Sequence, residues 1–295
     1  MPRREVLLMR TIENEFLKVS IADHGAELTS VTDKTSGAER IWTGDPDVWN
    51  RHAPILFPFV GKVCEGKYRI GNKEYEMGTQ HGFARDQDFE CIKRSDTSIT
   101  HRLTATAGTR RIYPYDFSLQ VTHSLICKAL YVEWRIENRE REDMYYSIGG
   151  HPGFLLPPDV RKEDCFLVFP GMHSLTYFQA NAAGYALPDK KKVLSLKNGL
   201  AAWQDDIPDT WIFQDQNIRS VGIALPDQTT YVTLNCPSFP LLAVWANPKG
   251  NFICLEPWFG RTDDDGFTGK VSEKPGIQIL KPGEERKVSY SIDFH

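Results

Sequence analysis

The six cysteines of this 295-residue chain, Cys64, Cys91, Cys127, Cys165, Cys236 and Cys254, include no close pair of the Cys-x-x-Cys kind. That spacing argues against a zinc knuckle, a dithiol redox site and a compact disulfide framework. Long apolar runs are missing too. Nothing approaches the ~20 residues that span a bilayer, and the stretch from Val6 to Met9 is closed by Arg10 far short of a signal-peptide core. Charge of one sign is not in excess: 35 Lys and Arg stand against 39 Asp and Glu, a formal net charge of -4. The electrostatic footprint of a nucleic-acid binder or a polybasic membrane protein is therefore lacking. The run Asp263, Asp264, Asp265 resembles a calcium loop only superficially, without the spaced acids, glycine and terminal glutamate of an EF-hand. These absences predict a cytoplasmic chain with free thiols, no metal, no nucleic acid and no membrane, whose partner is small or neutral.

Helical periodicity is also scarce, a short helix around Asp45 to Trp49 being the one expected. What recurs instead is alternation. In Leu130 to Glu137 the residues Val132, Trp134 and Ile136 share one face while Tyr131, Glu133, Arg135 and Glu137 share the other, the period-2 pattern of a half-buried strand. Val288, Tyr290, Ile292 and Phe294 repeat it near the C-terminus. Similar segments run over Phe16 to Ala22, Phe117 to Ile126, Phe166 to Phe169, Ser220 to Leu225, Tyr231 to Asn235 and Leu241 to Ala246, with turn signals such as Gly71-Asn72 and Pro282-Gly283 between strands. Many short strands imply sheets packed on sheets. With no repeat, low-complexity tract or linker to divide it, the chain is expected to form an all-β, large single-domain β-sandwich over residues 1–295. Lys190, Lys191 and Lys192 read as a solvated loop.

Three punctuated segments stand apart from this pattern. The run Ile148 to Phe154 holds His151 between Gly150 and Pro152. Gly149, Gly150 and Gly153 permit unusual backbone angles and close approach of a ligand, while Pro152 keeps its predecessor extended. A lone buried histidine often does no more than bond a strand end, but these neighbours favour an imidazole aimed at a ligand, able to exchange a proton near its ordinary pKa of ~6.5. His81 likewise precedes a glycine, with Arg85 four residues on. Arg85 is balanced between a cleft-facing role and an ion pair with Asp86 or Asp88. Glu256 follows the apolar stretch Phe252 to Cys254, where a carboxylate is costly unless paired or working, or else turned to water. Trp258 offers a flat face for a sugar ring or a core anchor. Arg51, at the entry of the Pro54 to Pro58 wedge, is either a surface cation or a ligand contact. Asp209 can bond a hydroxyl-rich ligand or serve as a cap or turn residue.

Taken in order, Asn50-Arg51 with Pro54 to Pro58, His81-Gly82-Phe83-Ala84-Arg85, Gly150-His151-Pro152 and Glu256-Pro257-Trp258 resemble the aldose 1-epimerases, the galactose mutarotase-like superfamily. The His-Gly-Phe-Ala-Arg form is similar to the bacterial branch found with lactose and galactose utilisation genes, and to hexose-6-phosphate mutarotases. The resemblance implies a β-supersandwich, no cofactor, and interconversion of the α and β anomers of a sugar. It further implies His151 as general acid and Glu256 as general base, with His81 and Arg51 as substrate contacts and Asp209 at the place of the family's sugar-binding aspartate.

Ring opening needs one proton taken from the anomeric hydroxyl and one given to the ring oxygen. The expectation is an ionised Glu256 and a partly protonated His151, at ordinary pKa values, on opposite sides of the hemiacetal. Arg85, Arg51 and Lys62 could serve a phosphorylated hexose instead. A carbohydrate-binding module without turnover and a glycoside hydrolase are the rivals from other classes, the second disfavoured by a single strong carboxylate. The chain is expected to act as a monomer or a homodimer.

Overall fold

Alternation builds the strands where it is clearest. Strand Ala129–Asn138 buries Leu130, Val132, Trp134 and Ile136 and turns Tyr131 and Glu133 to water. Strand Glu285–Phe294 pairs with it and buries Val288, Tyr290, Ile292 and Phe294. The computed structural model describes residues 8–207 and 210–295. Its elements are almost entirely strands. One nine-stranded antiparallel sheet has Ala129–Asn138 near its middle, between Glu285–Phe294 and Phe117–Ile126. A second sheet places Ser174–Gln179, Trp211–Gln214, Leu241–Trp245, Phe252–Phe259, Ile148–Gly150 and Ile55–Leu56 side by side in that order.

The two sheets close on one core, giving the large β-sandwich that the alternation predicts. Phe117 of the first sheet meets Phe57 at 5.3 Å between ring centroids, and Trp134 meets Phe239, which in turn packs on Phe259 of the second sheet at 4.7 Å. Burying one such aromatic removes on the order of 200 Å² from water, worth about 5 kcal/mol before entropy is counted. The central strand Phe252–Phe259 is buried along its whole length. Both of its faces are therefore covered, and its one carboxylate has been taken wholly out of water.

The helix expected around Asp45 to Trp49 is a turn. The Val48 and Trp49 N–H groups both return to the Asp45 carbonyl (3.1 and 2.8 Å), and the Asp45 carboxylate takes the Asp47 N–H at 2.9 Å. The side chain thus supplies a local acceptor that competes with a continuing helix. The α-helix lies instead at Ala107–Ile112, where Thr106 and Thr109 cap each other's backbone N–H groups. Lys190 to Lys192 are exposed, as expected, but Lys192 leaves the loop to begin strand Lys192–Ser195 and reaches Asp206 at 2.7 Å. Asp263 pairs with buried Lys274, and Asp264 pairs with Arg261 at 2.6 Å. Among the described residues no helix is long and apolar enough to cross a membrane.

Candidate active site

Two short strands flank His151, and both pair with the same partner. Gly149 of Ile148–Gly150 stands opposite Trp258, and Gly153 of Gly153–Leu155 stands opposite Cys254. The register is identical on the two sides of the break. Gly150, His151 and Pro152 therefore face Pro257, Glu256 and Leu255 in turn. Each proline removes a ladder donor, so the sheet opens locally at this rung. On the other flank of Phe252–Phe259, Glu256 is opposite Ala243 and Cys254 is opposite Trp245. Period 2 puts Cys254, Glu256 and Trp258 on one face. Glycine is required at position 149, since a Cβ there would lie 2.5 Å from Cδ1 of Trp258.

The result is direct contact: Nε2 of His151 lies 3.3 Å from Oε1 of Glu256. The pair lines a cavity of about 300 Å³, together with Trp49, His81, Arg85, Trp245 and Trp258. The imidazole is held by rings, with Trp49 at 5.0 Å, Trp245 at 5.6 Å and His81 at 5.7 Å between centroids. Neither oxygen of Glu256 has a hydrogen-bond partner in the protein, and neither does Nδ1 of His151. Glu256 is only 1% exposed. A buried polar group left without a partner costs about 1–3 kcal/mol, so this carboxyl is held at the expense of stability.

Burial sets the protons, and it corrects the expectation of ordinary pKa values. It drives the Glu256 carboxyl well above its usual range, opposed by the Trp258 indole on the same face, and pushes His151 down to about 3. The low-dielectric site favours the uncharged form of each. Both groups are thereby biased toward their neutral forms, Glu256 toward the acid and His151 toward the free imidazole. The two groups also stand side by side rather than apart. Because O1 and the ring oxygen are both bonded to C1, adjacent groups can address both atoms.

His81 is fixed by its glycine neighbours. Gly82 has φ +69°, and a Cβ there would fall 2.2 Å from the Phe57 carbonyl oxygen, so only glycine allows this close bridge to Phe57. The His81 N–H donates to the Gly61 carbonyl at 2.6 Å, and the Gly61 N–H donates to Nδ1 of His81 at 3.1 Å. An Nδ1 that accepts leaves the proton on Nε2. Burial, and behind it the nearby His151, Arg85 and Lys62, holds this ring neutral, well below its usual pKa. His81 is thus a neutral donor.

Arg85 lines the cavity, donating to the Gln80 carbonyl at 2.8 Å. Lys62 lines it too and donates to the Ala183 carbonyl at 2.8 Å. Arg51 does not line it. Its guanidinium bonds the Arg85 carbonyl at 3.2 Å and the Asp86 carboxylate, one layer behind the loop it was expected to share with substrate. Asp209 lies outside the described residues; the next residue, Thr210, lines the cavity. Sequence reasoning missed Trp49, Trp245 and Asn247 on the cavity wall. Trp245 was within reach, since alternation along Leu241–Trp245 places it across from Cys254. One donor set could also hold a metal: ligand atoms of His151, Cys254 and Glu256 all lie within 4.8 Å of one another, a grouping made by strand register and invisible to a search for Cys-x-x-Cys.

The chain resembles known proteins over almost its whole length. A family model described as aldose 1-epimerase matches residues 9–193. The chromosomal protein LacX of Lactococcus lactis subsp. lactis is 30% identical over 292 residues, covering 95% of this chain and 97% of its own. The crystal structure of a galactose mutarotase related enzyme from Lactobacillus acidophilus superposes with a TM-score of 0.92 at 33% identity, covering 98% of this chain and 97% of that one. A galactose mutarotase-like protein from Lactobacillus casei gives a TM-score of 0.89 at 31% identity, covering 98% of this chain and 100% of that one.

Proposed function

Because the chain belongs to the aldose 1-epimerase family, we propose that it is a mutarotase exchanging the α and β anomers of an unphosphorylated hexose at His151 and Glu256. The contact between these two side chains at the cavity wall carries the reading. A sugar brings hydroxyl donors to the Glu256 oxygens, which have none in the protein. Hydrogen bonds to the charged form of a carboxylate stabilise it, so binding favours an ionised Glu256 beside a protonated His151. Base and acid are then both present. Glu256 takes the proton from the O1 hydroxyl, the C1–ring oxygen bond breaks, and His151 gives its proton to the released oxygen. The open aldehyde rotates about C1–C2 and recloses on its other face by the reverse transfers, leaving the protein as it began. Each positioned group contributes about 10²–10⁴-fold. His81 donates through Nε2, and Trp49, Trp245 and Trp258 supply apolar faces for the C–H side of the ring.

A phosphorylated substrate is less well served. Arg85 and Lys62 already donate to backbone carbonyls, and Arg51 is bound to Asp86. A module that binds sugar without turnover would gain nothing from an unpartnered buried carboxyl. Reaction in the cytoplasm with no cofactor, on a small sugar as the sole partner, completes the reading.

The test is anomer exchange by NMR on galactose, glucose and glucose 6-phosphate. Acceleration of a free hexose, lost in both His151→Asn and Glu256→Gln, supports the proposal. Exchange of all three at the uncatalysed rate, or acceleration confined to the phosphate ester, overturns it.

A further inference from the structure

We propose that His151, Cys254 and Glu256 form a site for one zinc ion, whose binding competes with the sugar. Cys254 and Glu256 sit two residues apart on one face of strand Phe252–Phe259, and His151 reaches the same place from the opposite side of the ladder. Nε2 of His151 is 3.3 Å from Glu256, and the three ligand atoms all fall within 4.8 Å of each other. Ligands held at zinc distances of 2.0–2.3 Å in a tetrahedron stand about 3.3–3.8 Å apart. Small side-chain rotations therefore bring this trio to bonding geometry. The second observation is independent of spacing: both Glu256 oxygens are buried without any partner, a state that bonding to a cation relieves.

The donor set selects the metal. A thiolate with an imidazole and a carboxylate suits zinc better than magnesium or calcium, which take oxygen ligands. Zinc with one thiolate, one carboxylate and a neutral imidazole is also electrically neutral, as a dry site demands. A zinc ion takes cysteine as thiolate and glutamate as carboxylate, so its affinity rises with pH. In this state Glu256 can no longer accept the anomeric proton, nor His151 carry one.

Only inhibition depends on the mutarotase reading, so binding is measured separately. Chelator-treated protein is titrated with Zn²⁺ alone by calorimetry, and with Co²⁺ by absorption. One ion per chain is expected, with a thiolate-to-cobalt charge-transfer band in the near ultraviolet and the strong visible bands of tetrahedral cobalt. Cys254→Ser, with Cys254→Ala as the second variant should serine fold poorly, is expected to lose the charge-transfer band and at least tenfold in Zn²⁺ affinity. If mutarotation is present, zinc raises the apparent KM of the unsubstituted protein, while Cys254→Ser keeps its turnover and loses that sensitivity. Equal zinc affinity in the native and Cys254-substituted proteins, or cobalt bound without a thiolate band, overturns the site. Zinc binding as described in a protein without mutarotation upholds the site and removes the proposed function.

Discussion

His151 and Glu256 occupy one rung of a single antiparallel register, interrupted only where Pro152 and Pro257 withhold their donors. Their 3.3 Å contact is thus set by backbone pairing on both sides. Neither side chain needs a hydrogen-bonded third residue to hold it, which fits the absence of a partner for Nδ1 of His151.

Glu256→Gln separates activity from stability. Turnover should fall by about 10²–10⁴-fold. The native carboxyl keeps a proton that the unfolded chain releases above pH ~4.3, so native stability falls as pH rises through that range. Gln removes this dependence. Denaturant unfolding from pH 5 to 8 should show the variant gaining on the parent by up to about 1.4 kcal/mol per pH unit; parallel curves would mean that Glu256 is ionised in the folded protein.

The acid limb of activity should lie far below the ordinary histidine range. His151 is held down to about 3 by burial, so kcat/KM measured by polarimetry should stay flat through pH 6.5. A half-maximal point near 6.5 would show that the imidazole titrates as if in water.

His123 tests the same physics away from the cavity. It is buried in strand Phe117–Ile126, and burial, then His101, pushes it to about 3. Between that value and ~6.5 the unfolded chain binds a proton that the native state refuses, so stability is full above pH 6.5 and declines as pH falls. His123→Gln should flatten that decline by about 1.4 kcal/mol per pH unit. An unchanged slope in urea titrations would assign acid sensitivity elsewhere.

Gly82→Ala should destabilise by about 1–3 kcal/mol from its left-handed backbone alone, with more from the clash at Phe57. Because His81 is the next residue, KM should rise as well. Thermal unfolding and KM that both match the parent would disprove the role given to the close bridge.

Arg51→Ala should act through the loop it ties down. A loss of about tenfold in kcat/KM, equal to about 1.4 kcal/mol, is expected to arise mainly in KM and to exceed no loss seen for Arg85→Ala. A larger effect than that of Arg85→Ala would return Arg51 to direct contact with the sugar.

Strands such as Ala129–Asn138 were legible because one face meets water and the other the core, so polarity records orientation. His151 and Glu256 were legible because glycine and proline mark places where the chain departs from regular pairing. Trp49 was hidden inside an apparent helix, since Asp45 closes the turn through a side-chain bond that periodicity does not encode. Cys254 was hidden for a different reason. Its neighbour His151 lies about a hundred residues away in sequence, and only register places them together. The proton positions were not legible at all, because the complete burial of Phe252–Phe259 arises from two sheets at once.

The strand Phe252–Phe259, which follows the six-residue hairpin 246–251, therefore presents its site residues by parity. A slip of that strand by a single step would invert its sidedness. Leu255 and Pro257 would be presented to the sugar, while glutamate and tryptophan turned away together. What the site cannot survive is thus a change of strand parity, whatever the length of the loops around it.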